Sequence, residues 1–246
     1  MTQLDWLYST LIAVLLVVDH FIFMATFRRR SAADPREAFR WLWFMFLRYM
    51  WLLTALGVFL WIYEGRAWGE IAASTPAAGW RSWSNAGLVL MVALLYARGA
   101  SRVARSARAR EKVRNQLSPL GTLGAMLPRT RSDFQLWVYV SVTAGISEEF
   151  LFRGYLIWVF HHWVGWWVAA TVSLAVFSLA HSYQGPNGVL RSALAGALFT
   201  VVVATFDSLL PAMAMHALID IGSGYIAWLA FRDVRTPEST SMPATS

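Results

Sequence analysis

The feature that most constrains this chain is a succession of long apolar runs, each close in length to a helix that crosses a lipid bilayer. Such a helix needs roughly 20 mostly apolar residues because the hydrocarbon core is about 30 Å thick. Seven runs meet or approach this length: residues 6–27, 41–63, 82–97, 134–160, 163–180, 188–206 and 209–231. The sequence therefore predicts an all-α polytopic membrane protein with about seven transmembrane helices. The third run is the shortest of the seven, and the fourth contains three charges.

The composition supports this interpretation. Hydrophobic residues make up 57% of the chain and charged residues only 14%, whereas soluble domains contain about 25% charged residues. Many of the 14 tryptophans lie near the ends of the apolar runs. Tryptophan favours the membrane–water interface because its ring is apolar and its N–H needs a polar partner.

The positive charge is concentrated in the loops that we expect to face the cytoplasm. The formal net charge is +7, and arginines cluster between the first two runs (Arg28, Arg29, Arg30, Arg36 and Arg40) and again across residues 98–131. Basic loops stay on the cytoplasmic side, so the N-terminus is expected outside and the C-terminus in the cytoplasm of a bacterial plasma membrane. Membrane lipids, anionic ones above all, are the expected partners of these arginines, and nucleic acid is not.

The chain contains no cysteine. This excludes disulfides, thiolate metal sites, a cysteine nucleophile and palmitoylation. The first apolar run follows Asp5 rather than a basic segment and lacks a clear small-residue cleavage site. We therefore expect it to be retained as the first helix instead of being removed as a signal peptide.

Three parts are predicted along the chain. Residues 1–115 would form accessory helices and a basic loop, in which residues 98–114 have helical spacing of basic residues and could lie on the membrane surface. A turn-rich apolar segment, residues 121–128, leads to the fourth apolar run. Residues 116–235 would form a four-helix catalytic core, and residues 236–246 a disordered tail.

Ionisable residues inside the predicted spans are concentrated in the second half of the chain. A charge within a spanning helix costs several kcal/mol unless it is paired or faces a wet cavity, so each is a functional candidate. The set consists of Glu148, Glu149, Arg153, His181, His216 and Asp220. Because these acid–base groups lie on three different spans, they indicate a reaction site rather than a set of isolated packing contacts.

The spacing of these residues predicts their pairing. Glu149 and Arg153 are four residues apart, which places them on one helix face, and His216 and Asp220 repeat this spacing. Glu148 is rotated about 100° from its neighbour, so one carboxylate can be held as an ion pair while the other is left for chemistry. Gly145 and Gly154 flank the acidic pair and would permit close helix approach.

These residues resemble a known family. Residues 148–153 read as EExxxR, residues 177–181 as FxxxH and residues 216–220 as HxxxD. The three motifs, in this order and each on its own apolar span, resemble those of the CAAX protease and bacteriocin-processing family. That family includes the type II CAAX prenyl endopeptidases. The resemblance covers about residues 134–225, and the family accepts either Asn or Asp at the last motif position.

The resemblance implies a role for each motif position. Glu148 and His181 would activate a water molecule, and His216 and Asp220 would stabilise the oxyanion. Arg153 would hold Glu149 and the helix geometry. Two alternatives stay open for Asp220, because an aspartate must be protonated to donate a hydrogen bond, or else it must orient His216.

Metal dependence is also left open by the sequence. Glu148, His181 and His216 could form a catalytic zinc set with one position for water. There is no HExxH motif, however, and the resemblance also supports a glutamate mechanism without metal. We expect that no cofactor is required. The sequence contains no GxGD motif of an aspartyl protease, and Gly222-Ser223-Gly224 lacks the partner pattern of a serine enzyme.

The expected activity is that of an intramembrane endopeptidase acting on a membrane-embedded or CAAX-like substrate. One alternative is a binding, scaffold or bacteriocin-immunity protein with the same fold. Another is a proton or solute pathway, which the lack of repeats disfavours. The best rival site is Asp19-His20, with which Arg48 could pair. We interpret Arg191 and Asp207 as span-end residues and His161-His162 as an interfacial anchor.

Overall fold

The computed structural model describes residues 1–73, 80–117 and 124–232, without the side chains of residues 16–21 and 80–82. The side chains of Asp19 and His20, part of the turn-rich segment 121–128 and the tail 236–246 lie outside this description.

The described chain is helical. The helices are α1 (Gln3–Ala33), α2 (Pro35–Tyr63), α3 (Trp80–Arg105), α4 (Ala107–Leu117), α5 (Arg131–Glu148), α6 (Ile157–His161), α7 (Trp166–Ala180), α8 (Gly185–Phe206) and α9 (Leu209–Phe231). A π-helix, Glu149–Leu156, joins α5 to α6, and short 3-10 helices occupy Trp68–Ile71 and Ser182–Gln184. The described residues contain no β-strand. The all-α prediction is therefore confirmed for them.

Four helical segments are long and apolar enough to cross a membrane: Pro35–Tyr63, Trp83–Arg105, Ser182–Phe206 and Leu209–Phe231. The second of these contains most of the shortest predicted run. Trp166–Ala180 is apolar but shorter. The predicted run 134–160 lies in the continuous helix formed by α5, the π-helix and α6. The chain is thus an integral membrane protein by the character of its helices, and the count of seven spans stays a prediction.

The outward faces of these helices are apolar. On α3, for example, Leu90, Met91, Leu94 and Leu95 are each at least half exposed. Exposed apolar surface that continues along a whole helix marks a surface covered by lipid or by another protein. Such faces recur on α2, α3 and α8, and a lipid bilayer around the protein accounts for all of them.

Helix α9 is the centre of the second half and packs against α3, α4, α5 and α8. The backbones of α9 and α5 approach closely at Gly145, where a Cβ atom would lie 2.7 Å from the carbonyl oxygen of Met213. Gly222 and Gly224 on α9 leave room for the rings of Tyr96 and Trp137. Glycine lets these helices approach where any side chain would hold them apart.

The predicted surface helix within residues 98–114 is α4 together with the end of α3. Helix α4 packs against the end of α9, where Arg114 donates a hydrogen bond from Nη1 to the carbonyl oxygen of Ala230 at 2.9 Å. Val113 lies against the cluster that contains Leu229. The basic segment is therefore anchored to the bundle through its apolar face and one carbonyl contact.

A buried ion pair fastens the start of α1 to the rest of the protein. Both terminal nitrogens of Arg66 donate to the carboxylate of Asp5 at 2.7 Å, and the hydroxyl of Tyr155 donates to the same carboxylate. Burial raises the pKa of Asp5, but the hydrogen bonds from Arg66 and Tyr155 outweigh it and lower the pKa overall. Because Tyr155 lies in the π-helix, this pair connects the accessory helices to the segment that carries Glu149.

Candidate active site

The π-helix Glu149–Leu156 carries the second glutamate and the arginine of the first motif, and all eight of its residues are buried. A π-helix is wider than an α-helix and occurs frequently at functional sites. One of its carbonyl groups has a partner on another helix, since Ser173 of α7 donates from Oγ to the oxygen of Phe152 at 2.6 Å. This bond holds the π-helix against α7.

Glu149 is the centre of the buried polar cluster. Its Oε1 atom lies 3.1 Å from Nη1 of Arg153 and 2.8 Å from Nδ1 of His216. The side chain of Glu149 is fully buried. A buried carboxylate requires such partners because its desolvation would otherwise be very costly. The predicted contact between Glu149 and Arg153 is present, and His216 is an additional partner that the spacing did not reveal.

Arg153 is enclosed by aromatic rings. Its guanidinium lies 4.1 Å from the ring centre of Phe177 and 5.7 Å from that of Phe199, within the range of cation–π attraction. Gly196 of α8 provides the remaining space, since a Cβ atom there would lie only 2.6 Å from Nη2 of Arg153. The arginine is therefore fixed in one position against Glu149.

The other nitrogen of His216 faces two further carboxylates. Its Nε2 atom lies 3.9 Å from Oε2 of Glu148 and 3.6 Å from Oδ2 of Asp220. These distances exceed those of hydrogen bonds, so a gap separates Nε2 from both groups. The ring is stacked on Phe199, with ring centres 4.9 Å apart and planes at 16°. His216 is thus oriented by Glu149 and Phe199, and Asp220 does not hold Nδ1.

Glu148 is directed differently from Glu149. It lines a cavity of about 160 Å³ together with His181, Phe152 and Tyr183. The opposite wall comes from α1 and α2, and we call this space the α1–α2 cavity. Oε2 of Glu148 is buried and has no hydrogen-bond partner within the described part of the chain. A buried oxygen without a partner needs an explanation, such as a ligand or water.

His181 has a defined orientation at the wall of this cavity. Its Nδ1 atom lies 2.8 Å from the carbonyl oxygen of Phe177. Since a carbonyl can only accept, Nδ1 carries the proton and Nε2 of the neutral ring is left with a lone pair. The ring of Phe177 packs against the imidazole at 4.6 Å between centres. The FxxxH spacing thus places a packing ring and a hydrogen-bond acceptor under the histidine.

Five of the six predicted site residues therefore form two groups, and the sixth, Asp220, lies beside His216. Glu149, Arg153 and His216 make a buried hydrogen-bonded cluster, and Glu148 and His181 face the α1–α2 cavity. Asp220 lies beside Nε2 of His216, and its side chain is 37% exposed. Trp137, which the motifs did not indicate, donates to the backbone oxygen of Asp220 at 2.8 Å.

The sequence suggested Glu148, His181 and His216 as ligands of a zinc ion. Among the residues that the structure describes, no three His, Asp or Glu side chains form a group that could hold a metal ion. Glu148, His181 and His216 do not meet as a set of ligands in this arrangement.

The remaining polar candidates lie away from this cluster. Arg48 and Arg191 are exposed, and Asp207 ends α8 in a left-handed conformation with φ 51°. His162 contacts the oxygen of Trp158 through Nδ1 at 2.8 Å. His161 is exposed at the end of α6, as an interfacial position would be.

The comparisons with known proteins agree with the motifs. Residues 130–222 match the family model described as "Type II CAAX prenyl endopeptidase Rce1-like". The matched region contains all six predicted site residues and confirms the resemblance to the CAAX protease and bacteriocin-processing family. No curated protein and no solved structure matches the chain. Because the matched family is a peptidase family, the match supports a protease.

Proposed function

We propose that this chain is an intramembrane endopeptidase that hydrolyses a peptide bond in a membrane-embedded or CAAX-like substrate. The observation that carries the proposal is the division of the glutamate pair. Oε1 of Glu149 is bonded to Arg153 and His216, and Glu149 does not line the cavity, whereas Glu148 faces the cavity together with His181. An Oε2 atom without a hydrogen-bond partner among the described residues is common to both glutamates. One carboxylate is structural and the other is free to act as a base.

The first step would be activation of water by Glu148 and His181. Glu148 accepts one proton of the water while the water oxygen attacks the carbonyl carbon of the scissile bond. His181 can hold the same water through the lone pair on Nε2, since its Nδ1–H is donated to Phe177. The new C–O bond converts the carbonyl group into a tetrahedral oxyanion.

The second step would need stabilisation of that oxyanion. His216 supports this role because Glu149 compensates the charge of its imidazolium form, in which Nε2–H can donate. Asp220 beside Nε2 could donate as well when protonated. Breakage of the C–N bond then returns the carbonyl, and the proton held by Glu148 passes to the leaving amine. The products are a carboxylic acid and an amine, so atoms and charge balance.

The proposal includes the environment of the enzyme. We place it in the bacterial plasma membrane with the N-terminus outside, because the arginine-rich loops would then lie in the cytoplasm. The chain has no cysteine, which makes a labelling test direct. A cysteine introduced at Thr2 should react with a membrane-impermeant thiol reagent in intact cells, and one introduced at Ser101 should not. The reverse pattern would overturn the orientation.

The activity is tested by Glu148→Gln, which keeps the side-chain volume and removes the base. Glu111→Gln on the exposed face of α4 is the matched control. Peptide termini would be compared across the membrane proteomes of cells with wild type, variant and control. Termini present with wild type and Glu111→Gln but missing with Glu148→Gln would support proteolysis and identify substrates.

The contrary result would also be informative. If all three proteins are equally abundant and folded and the termini are the same, the chain is not a protease under these conditions. A binding or immunity role would then take precedence.

A further inference from the structure

The α1–α2 cavity is built largely from helices outside the region that matches the endopeptidase family. Helix α1 contributes Phe23 and Met24, and α2 contributes a stripe that includes Trp43, Phe46 and Met50. The matched region supplies Glu148 and His181 on the facing wall. The cavity is therefore the place where the accessory helices meet the predicted chemistry.

The size of the cavity limits what can enter it. An apolar cavity of about 150 Å³ in a protein core is large enough to bind benzene, and this one measures about 160 Å³. It can therefore enclose one side chain of the size of leucine or phenylalanine. A complete prenyl chain is too large for this volume and would have to extend through the open side of the cavity.

The wall on α2 is held in place by neighbouring contacts. Trp43 donates from Nε1 to the oxygen of Met126 at 3.2 Å. Its ring packs edge to face with Trp137 and Phe46, at 5.2 and 5.7 Å between ring centres. A rigid aromatic wall can discriminate by size because it cannot collapse onto a smaller side chain.

We infer that the α1–α2 cavity is the specificity pocket of the protein, and that it encloses one leucine- to phenylalanine-sized side chain beside the scissile bond. This inference rests on the proposed function. The carbonyl carbon next to that side chain would then lie near Glu148 and His181, which line the same space. Phe46 sets the size of the pocket on the α2 side.

The test uses the full chain in lipid vesicles and a host peptide of alternating alanine and glycine with one guest residue. The guest is glycine, leucine, phenylalanine or tryptophan, and products are mapped by mass spectrometry. One methylene group in an apolar pocket changes kcat/KM about 10–200-fold. We therefore expect cleavage beside leucine or phenylalanine at least about tenfold faster than in the glycine peptide.

The size of the pocket is tested by Phe46→Ala, with Phe44→Ala as the matched control. Phe44 lies on the same helix but is 50% exposed. Phe46→Ala should raise cleavage of the tryptophan peptide relative to the phenylalanine peptide by about tenfold, and Phe44→Ala should leave that ratio unchanged. Rates that do not depend on the guest, or equal shifts in the two variants, would overturn the inference.

Failure of the proposed activity can be distinguished from failure of the pocket. If wild type cuts none of the peptides, their binding to the protein is measured by fluorescence anisotropy of labelled peptides. Tighter binding of the leucine and phenylalanine peptides, changed by Phe46→Ala and not by Phe44→Ala, would retain the pocket and count against proteolysis. Binding that does not depend on the guest would remove the pocket as well.

Discussion

Replacement of Asp5 by alanine should weaken the attachment of α1 to the segment that carries Glu149. Asp5 lies at the start of α1 and accepts hydrogen bonds from both terminal nitrogens of Arg66, from the hydroxyl of Tyr155 and from the backbone N–H of Thr2. The side chains of Asp5 and Arg66 are only 1% and 9% exposed. The substitution leaves a nearly buried guanidinium without its main partner.

The magnitude follows from this burial. Removal of one partner from a buried ion pair costs about 3–5 kcal/mol. Glu64 lies 3.8 Å from Arg66 and can compensate part of the lost charge, so we expect the lower limit, about 3 kcal/mol. For a protein of this size, 1 kcal/mol corresponds to about 2–4 °C in Tm. The variant should therefore melt roughly 6–12 °C below wild type.

The assay is thermal unfolding in detergent, followed by tryptophan fluorescence. Glu37→Ala is the control, because it breaks an ion pair with Arg30 in which both side chains are exposed. Exposed pairs contribute at most about 1 kcal/mol. In a double-mutant cycle, Asp5→Ala combined with Arg66→Ala should lower Tm much less than the sum of the single changes. Full additivity, or an effect of Asp5→Ala no larger than that of Glu37→Ala, would refute the reasoning.

Three further predictions concern pH, packing and metal. The pKa of Asp5 is lower in the folded state than its usual value of 3.8. The ionised carboxylate therefore contributes fully to stability above pH 3.8, and this contribution is lost as the pH falls through the pKa of the folded state. The difference in Tm between wild type and Asp5→Asn should therefore shrink below about pH 4, and a constant difference down to pH 3 would contradict this. Gly196→Ala places a Cβ atom 2.6 Å from Arg153, so it should displace the arginine from Glu149, abolish cleavage and cost about 1–3 kcal/mol. Gly87→Ala is the control, because a Cβ atom at Gly87 meets open space. It should leave cleavage unchanged and change the free energy of unfolding by no more than about 1 kcal/mol. Equal activity of the two variants would exclude this role of Arg153. Cleavage by the purified enzyme should persist after chelation, since Glu148, His181 and His216 do not form a ligand group in the described structure, and loss that zinc restores would establish a metal enzyme.

The sequence by itself determined the class of fold and the set of polar residues. A long apolar run that crosses a membrane forms an α-helix, because a helix bonds the backbone N–H and C=O groups within the same segment, where no water is present to bond them. Charges within such runs are expensive, so the apolar pattern marked the ionisable residues as candidates, Asp19-His20 and Arg48 among them. The three motifs then narrowed the candidates to Glu148, Glu149, Arg153, His181, His216 and Asp220. Their spacing also predicted the contact between Glu149 and Arg153.

The assignment of partners between helices could not be read from spacing. The contact of His216 with Glu149 joins residues 67 positions apart in the chain, and it depends on how closely α9 approaches α5 at Gly145. The π-helix also has no signature in the motif, since the EExxxR spacing fits an α-helix equally well. Asp5 and Arg66 gave no signal either, because each resembles an ordinary residue at the end of a span.

The α1–α2 cavity is the clearest case of a feature that only the tertiary structure decided. Phe23, Met24, Trp43 and Phe46 are ordinary apolar residues of spanning helices in the sequence. Their meeting with Glu148 depends on the packing of α1 against α2 and of α2 against α5. Local sequence determines which residues are apolar and helical, but a cavity is the space left between helices, so its shape follows from their packing alone.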